Sequence, residues 1–176
     1  KFRNVTGVQT CALPIYVAPL LGCALTTALG VLENDAAFSF RDSLLITGFG
    51  GVGNCILQFA KFLNARQIVV VDRDENKRIE ALRLGADNFI AASSKEMALK
   101  ELENLFGKEE RPSVAIETTG VPSLIELCYE FSASTARVVL VGVPNVEFRT
   151  SIYTLPLHFG KSITGSKGGD SNPDKD

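Results

Sequence analysis

Gly48-Phe49-Gly50-Gly51-Val52-Gly53 sets three glycines at the spacing G-x-G-x-x-G, between an apolar run ending at Thr47 and an amphipathic run from Val52 to Leu63. Each glycine has its own task in such a loop. Gly48 allows a tight turn, Gly50 lets the backbone approach a pyrophosphate, and Gly53 lets the following helix pack closely on the strand. The amides where the helix begins, at Gly51 and Val52, then face phosphate oxygens. Asp72 closes the next apolar run, 24 residues after Gly48, where a carboxylate can accept the two hydroxyls of an adenosine ribose. Strand, loop, helix, strand and acid in that order point to a bound dinucleotide rather than to a glycine turn followed by a helix-capping Asp. A methyl-donor site built on S-adenosylmethionine uses a similar loop and acid, but usually adds an acid inside the first strand. Leu44-Leu-Ile-Thr47 has none.

These residues need a scaffold, and the pattern supplies one. Residues 17–34 read as a helix, Ser43 to Thr47 as a strand, Val52 to Leu63 as a helix closing on Asn64, and Ile68 to Val71 as a strand. Asp74 caps a helix that stops at Gly85, Phe89-Ile90 is a short strand, and Ser93 with Glu96 forms a capping box for a helix ending near Gly107. Val114 to Ile116 is a strand, Pro122 opens a helix to Phe131, Arg137 to Val141 is a strand, Ser151 to Phe159 a short helix, and Ser162 to Gly165 the last strand. Apolar strands alternating with helices describe an α/β fold with a doubly wound, six-stranded parallel sheet of the Rossmann type. The chain ends soon after the sixth strand, so the fold is expected to be truncated there.

Composition narrows the function. The chain has 176 residues, 45% hydrophobic and 22% charged, enough apolar material for one domain with a sizeable core. A net charge of -2 gives no broad attraction for nucleic acid or an anionic membrane. A single His excludes a metal site built from several imidazoles of this chain. Four unclustered cysteines read as reduced thiols, which points to the cytoplasm. The stretch from Cys11 to Leu32 is uncharged, but Pro14, Pro19, Gly22 and Gly30 dilute it and Glu33 follows at once, which argues against a membrane span.

The runs LLGCALTTALGVLEND (20–35), ITGFGGVG (46–53), VVVDRDENK (69–77), LRLGAD (82–87) and VVLVGVP (138–144) together resemble the cofactor-binding half of zinc-type alcohol dehydrogenases of the medium-chain dehydrogenase/reductase family. The resemblance spans residues 17–176. It implies NAD as cofactor, Cys23 as one ligand of a catalytic zinc, and Thr27 as a residue touching the nicotinamide. Residues 23 and 27 are four apart, so a helix sets them on one face. It further implies that Val52 packs behind the nicotinamide, that Val141, Gly142 and Val143 meet its carboxamide, and that Thr118 and Thr119 pass beside the cofactor. The other zinc ligands would come from an N-terminal catalytic domain, so residues 16–176 are expected to be inactive alone. By family analogy, the Cys favours primary, aryl, allyl or hydroxymethyl-type alcohols over polyols. A zinc-free quinone or enoyl reductase and a non-catalytic module sensing NAD(H) are the alternatives.

Asp72 argues for NAD over NADP, because its carboxylate would face a 2'-phosphate. Arg73 is then expected over the adenine and Lys77 near the ribose. His158, Cys55 and Cys128 read as structural. Arg41 stands where the family usually has Gly in the turn before the first strand, a cost of about 1 kcal/mol if that turn requires a positive φ. Glu147 to Tyr153, with Phe148, Thr150 and Ile152 alternating, is expected to be an exposed edge through which the chain forms a homo-oligomer. Val5 to Ile15 (VTGVQTCALPI) resembles a translated sequencing-library adapter, so residues 1–15 are expected to be a non-native leader.

Overall fold

The computed structural model describes residues 20–107 and 110–171; residues 1–15 and Cys11 lie outside this range, as do Lys108 and Glu109. Six parallel strands form one sheet: β1 (Ser43–Thr47), β2 (Gln67–Asp72), β3 (Asn88–Ala91), β4 (Val114–Glu117), β5 (Arg137–Leu140) and β6 (Ser162–Gly165). Their order is β3-β2-β1-β4-β5-β6. The chain therefore reverses direction of growth between β1 and β4, and the crevice above their carboxyl ends is where this class of sheet receives a ligand.

Strand residues alternate between two cores. Leu44, Ile46, Ile68, Val70, Val114 and Ile116 pack toward α1 (Thr26–Gly30), α2 (Gly51–Phe62) and α3 (Arg78–Leu84), with Ala28, Ile56, Leu57 and Ala81 opposite them. Leu45, Val69, Val71, Ala115 and Val138 pack toward α4 (Lys95–Phe106) and α5 (Pro122–Phe131), against Leu102, Phe106, Leu127 and Phe131. Burial on both faces explains why the inner strands are apolar throughout instead of alternating. β6 is the exception, largely exposed and at the sheet's edge.

Asn64 ends α2 in the left-handed conformation (φ 57°) and Gly85 ends α3 likewise (φ 114°), as their types predict. Three expectations are corrected. The cap of α4 is Ser94, whose hydroxyl accepts from the Met97 amide, and not Ser93. Arg41 has no positive φ; among non-glycine residues near it that role falls to Ala37 (φ 43°), so the turn strain expected at Arg41 does not arise there. Glu147 to Tyr153 forms no strand: Glu126 holds the Ser151 amide at 3.0 Å, the Tyr129 hydroxyl donates to the Tyr153 carbonyl at 2.9 Å, and Ile152 packs on the second core. The segment is sewn to α5, and its apparent alternation reflects these contacts. Beyond β6, Gly168–Asp170 forms a 3-10 turn that docks on α1, with the Asn34 side-chain amide donating to the Gly169 carbonyl at 2.9 Å.

At the opposite end of the sheet, Asp42 accepts from the Ser39 amide (2.8 Å), the Ser113 hydroxyl (2.7 Å) and the Arg137 guanidinium (2.6 Å). Burial pushes its carboxyl up, but these hydrogen bonds and the Arg137 charge hold it below its ordinary value. A depressed acid stabilises the fold in full above its unfolded value, near pH 4, and this contribution is lost as pH falls through the folded value. Asp42→Ala is therefore expected to cost about 2–3 kcal/mol at pH 7, with the gap from the unmodified chain closing toward pH 3. Denaturant unfolding at both pH values checks this; a gap that does not change with pH contradicts it.

Candidate functional site

The glycine loop is built as the residue types require. Gly48 has φ 91° and donates its amide to the Val71 carbonyl at 2.8 Å, which ties the turn after β1 to β2. A Cβ on Gly53 would lie 2.1 Å from the Gly48 carbonyl oxygen, so only glycine lets α2 start this close to β1. A Cβ on Gly50 or Gly51 would meet nothing within 4 Å. The space above them is open, and there α2 begins with backbone donors that have no intrahelical partner.

Asp72 ends β2 facing this space and is only 8% exposed. Its Oδ2 accepts from the Phe49 amide at 2.6 Å and from Lys77 Nζ at 3.0 Å, and its Oδ1 from the Asp74 amide at 2.9 Å. Burial raises its carboxyl, but the Asp74 and Phe49 amides and Lys77 outweigh this and hold it below the usual carboxylate range. With about four acceptor positions on a carboxylate, Oδ1 keeps one for a further donor. Asp72 thus fastens the glycine loop and offers an acceptor beside it. Lys77, on a 3-10 turn (Glu75–Lys77), takes its place by pairing with that acid, and Arg73 is exposed.

Gly48, Gly50, Gly51, Val52, Gly53, Asp72, Arg73, Lys77 and Thr118 all line one cleft of about 580 Å³ above the reversal between β1 and β4. The volume suits a small-molecule site. Val141, Gly142 and Val143, also assigned to the cofactor from the sequence, do not line it; Val143 is 90% exposed. Ser93, Ser94 and Lys95 beyond β3 do line it, as do Val121, Ser123 and Leu124 where α5 begins. Sequence reasoning missed these, although all follow the carboxyl end of a strand, and that rule alone would have found them.

Cys23 is exposed, in a π-helical run (Leu20–Leu25) that leads into α1. Thr27 is half-buried in α1, and a Cβ on Gly168 would come 4.0 Å from its hydroxyl. Neither lines the cleft. Among the described residues no three of His, Cys, Asp and Glu are grouped to hold a metal, so this part of the chain does not by itself fit a zinc ion. Cys128 is fully buried, and burial pushes its thiol up to about 12, which removes it from nucleophilic chemistry. Burial raises the half-buried Cys55 thiol as well. His158 is exposed. No helix of the described residues is long and apolar enough to cross a membrane.

Residues 51–175 match the family model for zinc-binding dehydrogenases. The chain belongs to that family. It is 28% identical over 169 residues to an NDMA-dependent alcohol dehydrogenase of Amycolatopsis methanolica, covering 93% of this chain and 44% of that protein. It is 36% identical over 111 residues to an aliphatic (R)-hydroxynitrile lyase of Linum usitatissimum, covering 61% and 26%. The crystal structure of benzyl alcohol dehydrogenase from Acinetobacter calcoaceticus superimposes with a TM-score of 0.80 at 25% identity, over 93% of this chain and 44% of that one. The chain thus spans less than half the length of these members of the zinc-binding dehydrogenase family, and what it matches is their cofactor-binding half. That part of this chain also resembles a protein named as a lyase means that the likeness does not alone decide the reaction.

Proposed function

We propose that this chain is the NAD-binding half of a zinc-dependent alcohol dehydrogenase, whose intact parent passes hydride from an alcohol to NAD. The carrying observation is the pairing of an open glycine loop with the Asp72 carboxylate at the mouth of one cleft. On this reading the Gly50, Gly51 and Val52 backbone receives the pyrophosphate and Asp72 the adenosine ribose, with Arg73 free to lie over the adenine. Val52 and Thr118, which line the cleft, serve the nicotinamide half, and Thr27, Val141, Gly142 and Val143, which lie outside it, are assigned to that half where it extends beyond the cleft. In the parent, Cys23 contributes one ligand to a zinc that polarises the alcohol oxygen, the remaining ligands lying outside the described residues. Primary, aryl or allyl alcohols are the substrate class, in keeping with the benzyl alcohol dehydrogenase whose fold it shares.

Saturation with NADH is expected to slow hydrogen exchange at Gly50 to Gly53 and at Phe49, with no alcohol oxidation at any zinc concentration. Protection confined to another part of the chain would overturn the assignment. Oxidation abolished by Cys23→Ala would overturn the expectation of an incomplete site. A cytoplasmic location and self-association complete the reading. Because residues 147–153 are held by α5, the exposed edge of β6 is the better surface for a second copy. Sedimentation at high micromolar concentration tests this, and a monomer there refutes it.

A further inference from the structure

Glu117, at the end of β4, has a fully buried side chain that the cofactor reading leaves without a task. A buried carboxylate is costly unless its oxygens are satisfied, and here they are satisfied locally. One oxygen accepts from the Thr119 amide (2.6 Å) and the Thr119 hydroxyl, and the Gly120 amide is shared between both oxygens at 3.1 and 2.9 Å. The loop is thereby wrapped around the acid. Gly120 adopts φ 73°, and the next strand closes over it: the Glu117 carbonyl accepts from the Val141 and Gly142 amides at 2.8 and 3.0 Å. A Cβ on Gly142 would lie 2.1 Å from the Gly120 nitrogen. On the other side the Thr118 hydroxyl reaches the Thr47 and Gly48 carbonyls, each at 2.9 Å. The Glu117 carboxylate therefore holds the loop after β4 in the shape on which the β5 end closes, the Glu117 main-chain carbonyl binds that end, and the adjacent Thr118 joins the loop to the glycine loop.

Thr118, Thr119 and Val121 form the wall of the cleft on the β4 side, whereas Asp72 stands across β1 on the β2 side. A dinucleotide spanning a reversal of strand order lays one mononucleotide on each side. With the adenosine on Asp72, the nicotinamide mononucleotide half falls above β4 and β5. We infer that Glu117 is a positioning residue for that half: it holds the Thr118–Gly120 loop and the β5 end as one rigid surface, without touching the cofactor. This rests on the dinucleotide reading of the cleft. Glu117→Gln places an N–H against the Gly120 or Thr119 donors whichever way the amide turns, and so loosens the loop while keeping the side chain's shape.

The test compares NADH with ADP, which fills only the Asp72 side, by titration calorimetry on the full chain. Glu117→Gln is expected to weaken NADH about tenfold while ADP stays within about twofold. Leu102→Ala, a core substitution in α4 remote from the cleft, lowers the melting temperature but leaves the NADH-to-ADP ratio unchanged. Should Glu117→Gln fail to fold, Thr119→Val removes one donor to the acid and is expected to weaken NADH about threefold with ADP unaffected. Equal losses for both ligands, or none for NADH, overturn the role of Glu117 while leaving the dinucleotide site standing. Failure of the unmodified chain to bind ADP or NADH removes the dinucleotide reading, and this inference with it.

Discussion

Gly53→Ala is expected to weaken NADH binding by about a hundredfold or more and to lower the melting temperature by roughly 5–10 °C. The added methyl group would sit 2.1 Å from the Gly48 carbonyl oxygen and 3.2 Å from its carbon, both backbone atoms that no rotamer change can move. Relief requires α2 to lift off β1, which turns its first amides away from the cleft and strains the Phe49 amide's bond to Asp72. Gly50→Ala separates the two effects. Its methyl group meets nothing within 4 Å, so stability should be unchanged, yet it projects into the space assigned to the pyrophosphate and should weaken NADH about tenfold or more. Equal melting temperatures and affinities for both variants would show that the loop is only a turn.

Asp72→Ser should produce the second large change, in cofactor preference. A carboxylate beside the ribose repels a 2'-phosphate of roughly two negative charges, and a difference of about 3 kcal/mol is more than a hundredfold in affinity. Removing it, with Arg73 left in place, should carry the ratio of NADPH to NADH affinity upward by about that factor. The absolute affinity for both should fall, because Asp72 also holds the Phe49 and Asp74 amides and Lys77. A ratio that stays where it was in the unmodified chain would remove Asp72 from the recognition of the ribose.

The sheet was legible because every strand but β6 is buried on both faces and so carries a short apolar run, and α2 and α3 end on residues suited to it, Asn64 and Gly85. The glycine loop was legible from its spacing between a strand and a helix: Gly48 needs glycine for its positive φ and Gly53 for the close approach of the Gly48 carbonyl, while Gly50 is open toward the cleft. What escaped depends on contacts between distant segments. Gly30 and Gly169 touch so closely that a Cβ on either would clash with the other's backbone, but nothing local marks a glycine inside a helix as the seat of a turn 139 positions later. Glu117 follows apolar strand residues and its side-chain partners, Thr119 and Gly120, lie only two and three positions on, a pattern shared with exposed loop acids; only the β5 end that covers it shows the burial. The alternation of Phe148, Thr150 and Ile152 misled because period two is also produced by an extended segment pinned to a helix. The Ser93 and Ser94 ambiguity is of another kind, since both can cap and only the backbone decides.

On the proposed reading, the cleft between the glycine loop and Asp72 binds NAD and selects it against NADP. Side-by-side calorimetric titration of the unmodified chain with NADH and NADPH tests it most directly. One saturable site with NADH bound at least about tenfold more tightly than NADPH is the predicted result; NADPH bound equally or more tightly, or no binding of either, would contradict it.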